Sequence, residues 1–148
     1  MTSQKVIGAI YPLTASQVKR FFYEGKTGFV KFTNMTNFKA NSKIIFYVKG
    51  EKVLFGEGTI KSVSKMSPSE AWSKYSKDIF LNQQEYESYT QWSPIEKKPR
   101  TNAEITVFFL KNLKRFKTPH QFSGITPSGR YISEEEYNKV ISEMEVQK

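Results

Sequence analysis

The sequence predicts one α+β domain spanning residues 1–148, built around a small, bent, mixed β-sheet with flanking helices. Three observations carry this. Strand-like and helix-like segments alternate irregularly, as β-α-β-β-β-α-α-β-loop-α, without the βαβαβ rhythm of a doubly wound parallel sheet. The run "KIIFYVKGEKVLFGEGTIKSVSKM" is strongly β-prone on both sides of a turn. The 148 residues are 38% hydrophobic and 15% aromatic, enough to pack a core without disulfides.

The first apolar segment, "KVIGAIYPL", suits a strand that Pro12 would end. A helix follows, because Thr14 and Gln17 have capping-box spacing and Val18, Phe21 and Phe22 share one face. Gly25 is its natural stop. "TGFVKFTNM" gives a short strand through Phe29, Val30 and Phe32. Ile44 to Val48 and Val53 to Val63 form a hairpin turning at Gly50-Glu51. Gly56 and Gly58, inside its second arm, predict a bulge or sharp bend of the kind that curls a sheet toward a barrel. Ser67, Pro68 and Glu70 occupy the N-cap, N1 and N3 positions of a helix. Asn82 and Glu85 repeat the cap spacing before "YESYTQW". "SPIEKKPRTN" reads as an exposed loop, "EITVFFL" as a buried strand. Ser133 and Glu136 cap a last helix whose Tyr137, Val140, Ile141 and Met144 make a core-facing stripe.

The formal net charge is +9, which attracts phosphate-bearing partners through a salt-screened field. Residues 1–60 hold nine Lys and Arg against three acids, and residues 111–120 add four more with none. No segment has signal-peptide architecture, and no apolar run approaches the roughly 20 residues that span a bilayer. The expectation is a cytoplasmic protein with no membrane partner.

Several chemistries find no footing. Without cysteine, and with His120 the single histidine, no thiolate or imidazole metal site assembles, so neither metal nor cofactor is expected. Gly56-Glu57-Gly58 lies inside a strand pattern rather than before a helix, which a phosphate loop requires. Glu134, Glu135 and Glu136 suit the first turn of a helix, where they complement its dipole. Binding fares better: "KNLKRFK" after the buried strand carries four cations without a counter-acid. Should sheet curvature gather Lys31, Lys43, Lys111, Lys114 and Arg115 on one rim, they would neutralise phosphates while aromatics stack on bases. The plainer reading has these lysines simply alternating outward from half-exposed strands. Trp72 suits packing within its helix; Trp92, beside the loop, is open to either packing or stacking on a base.

The segments "IGAIYPLTASQVKRFFYEGKTGFVKF", "KIIFYVKGEKVLFGEGTIKSVSKMSPSEAWSKY" and "GRYISEEEY" resemble an archaeal group known only as a domain of unknown function. That group stands near the PUA-like barrels, beside the ASCH and EVE domains. The resemblance implies a PUA-like pseudo-barrel with a cleft at its side. It also implies RNA or modified-base recognition, with hydrolysis of modified nucleosides in some ASCH members. The ASCH pattern is similar to Gly-x-Lys-x-x-Glu-x-Arg, and "EGKTGFVKF" is its nearest stretch here. Gly25 and Lys26 fit loosely, Phe29 replaces the acid and Lys31 replaces the arginine, which argues against hydrolase chemistry.

The combined expectation is an RNA-binding or other nucleic-acid-binding domain. Its rim would be Lys26, Lys31, Lys111, Lys114, Arg115, Lys117 and Arg130, with Tyr47 or Trp92 as stacking platform. The alternatives are an enzyme acting on modified nucleosides, with Glu57 or Glu24 as acid, and an interaction subunit of a ribonucleoprotein. Arg130 serves either to grip a phosphate or to tie its loop to the last helix.

Overall fold

The computed structural model describes residues 6–32, 41–93, 98–99, 104–122, 125 and 129–146. Six strands form one mixed sheet in the order β2-β7-β4-β3-β1-β8. They are β1 (Val6–Leu13), β2 (Gly28–Lys31), β3 (Lys43–Val48), β4 (Val53–Met66), β7 (Ile105–Gln121) and β8 (Arg130–Ser133). β1 and β3 run parallel, and the other neighbours are antiparallel. β5 (Trp92–Ser93) and β6 (Lys98–Pro99) make a separate two-stranded ladder. The helices are α1 (Ala15–Tyr23), α2 (Pro68–Tyr75), α3 (Gln83–Gln91) and α4 (Glu134–Val146). The class is α+β, as the sequence indicates. β2 and β8 lie at opposite ends of the order, so the sheet bends without closing among the described residues.

Strand alternation sorts the core onto two faces. Ala9, Tyr11 and Leu13 of β1 and Ile44, Phe46 and Val48 of β3 meet Val18 and Phe21 of α1, Ala71 of α2 and Tyr86 of α3. The intervening Ile10, Ile45 and Tyr47 join Leu54, Phe116, Ile132 and Val140 of α4 on the other face. Three helices therefore cover one side and one covers the other. Met144, the last residue of the expected α4 stripe, lies outside the described side chains.

Local signals place the helices. Thr14 and Gln17 form the reciprocal capping box, and Gly25 stops α1 at φ +73°, with the Lys26 N–H bonding Arg20 O at 3.2 Å. The Ser67 hydroxyl accepts the Glu70 N–H at 3.2 Å, and Ser133 accepts that of Glu136 at 3.1 Å. Asn82 and Glu85 cap each other at 2.8 and 3.0 Å.

Four expectations need correction. Pro12 does not end β1. The Lys49 N–H bonds Leu13 O at 3.0 Å, so Leu13 faces β3 and Pro12, one residue back, faces the side where β8 pairs only as far as Ile10. No ladder bond is lost. "KNLKRFKTPHQ" is strand rather than loop, because the 14-residue β4 gives β7 a partner as far as Gln121. "RYIS" is the edge strand β8. The "SPIEKKPRTN" segment contributes to the β5–β6 ladder; its remaining residues lie outside the described ones. The bulges are where the glycines place them: Phe46 and Tyr47 pair with Gly56 and Leu54, and Glu57 and Thr59 pair with Lys114 and Lys111.

Burial raises the Tyr86 phenol to about 12, and it raises Tyr137 as well, with the Glu57 carboxylate adding to the effect. A folded pKa above the unfolded value of about 10 stabilises the fold below pH 10, and that stability is lost as pH rises toward 12. The thermal midpoint should fall across this window. Tyr86→Phe should flatten the fall; an identical profile would contradict it.

Candidate functional site

On the three-helix side, a cleft of about 330 Å³ opens where the ends of β1 and β2 meet α1 and α3. That is the lower end of the roughly 300–1,000 Å³ seen for ligand sites. Its floor and walls are Pro12, Leu13, Phe29, Val30, Phe80 and Leu81, with Tyr89 of α3 on one side. Tyr89 is fixed: its hydroxyl accepts the Phe32 N–H at 2.8 Å, and the two rings lie 5.2 Å apart. Gln17 lines the cleft with an amide oxygen that accepts the Thr14 N–H at 3.3 Å.

Two lysines reach this hollow. Lys31 ends β2, its ammonium 5.8 Å from the centroid of the Tyr11 ring. Lys49 follows β3, in a turn held against the end of β1 by its bond to Leu13 O. The carboxylate lining the cleft, Glu85, faces Arg20 in a bidentate pair, Nη1 on Oε1 and Nη2 on Oε2 at 3.2 Å. Arg20 also donates to Phe80 O at 3.0 Å. The Arg20 hydrogen bond holds the Glu85 carboxyl below the ordinary glutamate range, against the opposing effect of burial. That pair is self-compensated, and Lys31 and Lys49 are the lysines that line the cleft.

The residues singled out from sequence divide differently from the single rim expected. Lys31 lines the cleft. Lys26, on the loop before β2, donates to Lys77 O at 2.8 Å and is not among the lining residues. Tyr47 is 6% exposed and packs in the α4-side core, so its ring offers no face to a base. Lys114 and Arg115 are neighbours in a strand and point to opposite faces. Arg115 donates to the Tyr23 hydroxyl at the end of α1 and sits over its ring at 5.6 Å. Lys114 is the register partner of Glu57, on the α4 side, as Lys111 is of Thr59. Lys117 is exposed farther along β7. Arg130 pairs with Glu136 at 3.1 and 2.6 Å and lies over Phe122 at 5.1 Å, which ties β8 to α4. The side chains of Trp92 and His120 lie outside the described ones.

Neither expected acid lines the cleft. Glu24 is the exposed C-cap of α1, and Glu57 is buried toward α4, accepting the Tyr137 hydroxyl at 2.7 Å. Trp72 packs as expected, stacked on Tyr86 at 4.7 Å. Sequence reasoning passed over Lys49, Tyr89 and the Arg20–Glu85 pair. The capping box marks Glu85, but nothing local marks a partner 65 residues away.

The profile of a family described as "Domain of unknown function (DUF365)" matches residues 6–134. The chain belongs to the DUF365 family. Among curated proteins, none matches it. Among solved structures, it is similar to ASCH from Zymomonas mobilis, with a TM-score of 0.75 and 18% identity, over 92% of this chain and 94% of that one. A mutant of the same ASCH protein gives a TM-score of 0.75 at 17% identity, over 95% and 98%. The N-terminal domain of Staphylothermus marinus McrB is a looser match, with a TM-score of 0.54 and 14% identity over 96% and 99%. At these identities the likeness establishes the fold this DUF365 chain shares, an ASCH-like α+β architecture. No described helix is long and apolar enough to cross a membrane.

Proposed function

We propose that this DUF365 chain binds nucleic acid, RNA in the first instance, by lodging one nucleotide in the cleft between β1, β2, α1 and α3. The observation that carries the reading is the pairing of Lys31 and Lys49 with a hollow whose remaining lining, apart from Gln17 and the Arg20-paired Glu85, is apolar or aromatic. Lysines supply phosphate affinity without sequence preference, while a base in the hollow packs against its apolar lining and the half-buried Tyr89 ring. The net charge of +9 adds long-range attraction, and the PUA-like resemblance agrees in kind. In this reading residues 1–148 act as one cytoplasmic PUA-like domain that needs no ribonucleoprotein partner to bind.

A labelled single-stranded RNA titrated across a salt series tests it. Affinity should fall log-linearly with salt. The double substitution Lys31→Ala with Lys49→Ala should weaken binding roughly tenfold or more, about 1.4 kcal/mol. Binding indifferent to salt, or unchanged in the double variant, would contradict it.

A further inference from the structure

We propose that the opposite face of the sheet carries a second, separate binding surface, on which Lys111 and Lys114 hold the phosphodiester backbone of a nucleic-acid strand beyond the nucleotide in the cleft. The identity of the ligand rests on the nucleic-acid reading above; the surface itself follows from strand register. Two rows cross three adjacent strands. Lys43 pairs with Thr59 and Thr59 with Lys111; beside them Ile45 pairs with Glu57 and Glu57 with Lys114. Ile45 belongs to the α4-side core, so both rows face that way.

The bulge in β7 makes this arrangement. Between Glu57 and Thr59, β4 advances two residues while β7 advances three, and Asn112 takes up the excess at φ +53°. Leu110 and Leu113 are thereby turned against Gly58 on the three-helix side, and Lys111 and Lys114 both face away from it.

The charges do not cancel. Glu57 is 4% exposed, and both its oxygens are engaged: Oε1 accepts the Tyr137 hydroxyl at 2.7 Å, and Oε2 lies 3.4 Å from the Lys43 ammonium. Lys43 also donates to Thr59 at 2.9 Å. Lys43 and Glu57 compensate each other inside the sheet. Lys111 and Lys114 are exposed and make no ion pair among the described residues, so two uncompensated cations stand side by side. A polyanion relieves their mutual repulsion, and a phosphodiester strand presents charges in series.

The test compares single-stranded RNAs of about four and about sixteen nucleotides, the range one small domain covers, by anisotropy across a salt series. Lys111→Ala with Lys114→Ala should weaken the longer strand several-fold and lower its salt slope by about 1.4, at about 0.7 per lost contact. The short strand should bind this variant as it binds the unaltered protein. The control, Lys19→Ala with Lys77→Ala, makes the same change in net charge on exposed residues elsewhere. An unchanged affinity for the longer strand overturns the proposal, as does an equal loss in the control. So does an equal loss for both strand lengths, which would assign these lysines to the cleft or to the fold. If the short strand fails to bind the unaltered protein, the cleft reading fails, and the longer strand still decides this one.

Discussion

Gly8→Ala should destabilise the fold by about 3 kcal/mol or more, the upper end of what overpacking does. A Cβ at this position would lie 1.9 Å from Lys43 O and 2.7 Å from its carbonyl carbon. Both are backbone atoms at the start of β3, so no side chain can swing aside to make room. β1 would have to move off β3 at the one parallel pairing of the sheet, and its ladder with β8, already bulged between Val6 and Gly8, would follow. Gly50→Ala is the matched control. Nothing lies within 4 Å of its Cβ, and its φ is not in the left-handed region. It should be neutral, or stabilising by about 0.4–1 kcal/mol through the unfolded chain. Urea unfolding of both variants checks the pair; equal stabilities would show that the β1–β3 approach has slack.

The second large effect is expected at Phe21. Its ring is 2% exposed and stacks on Phe46 at 4.5 Å and Phe80 at 5.1 Å, with an edge contact to Phe29 at 6.3 Å. Removing it leaves a cavity between α1 and the sheet, worth about 3–5 kcal/mol, a large part of the roughly 5–15 kcal/mol that holds a domain together. The consequence is functional as well as structural, because Phe29 and Phe80 also wall the cleft. Phe21→Ala should therefore lower the urea midpoint and weaken RNA binding together, under conditions where the variant remains folded. Phe21→Leu, which keeps most of the volume, should do far less of either. A Phe21→Ala protein as stable as the unaltered one would mean the face collapses to fill the gap.

Much of this architecture was readable one element at a time. The capping residues at Thr14, Ser67, Asn82 and Ser133 act within four positions, so spacing alone locates the helix starts. Gly56 and Gly58 marked the bulges for the same reason. What escaped depends on partners distant in sequence. β7 reads as a loop after Leu110 because its charges and Pro119 look like an exit; it is a strand because β4 runs long enough to pair with it. Tyr47 looks available in an exposed hairpin and is core because α4 covers that face. "LKRFK" looks like one patch, yet strand alternation sends Lys114 and Arg115 to opposite sides. The expected groove was to collect all the cations. Instead the sheet divides them, with Lys31 and Lys49 at one hollow and Lys111 and Lys114 across the other face.

The claim on which the functional account turns is that a nucleotide enters the cleft on the three-helix side. Methyl resonances read this directly, because Leu13, Val30 and Leu81 line that cleft while Ile45, Ile132 and Val140 lie in the core against α4. On titration with an RNA of about four nucleotides, the first three should shift in proportion to saturation and the second three should stay in place. Shifts confined to Ile45, Ile132 and Val140, with Leu13, Val30 and Leu81 unmoved at saturation, would contradict it.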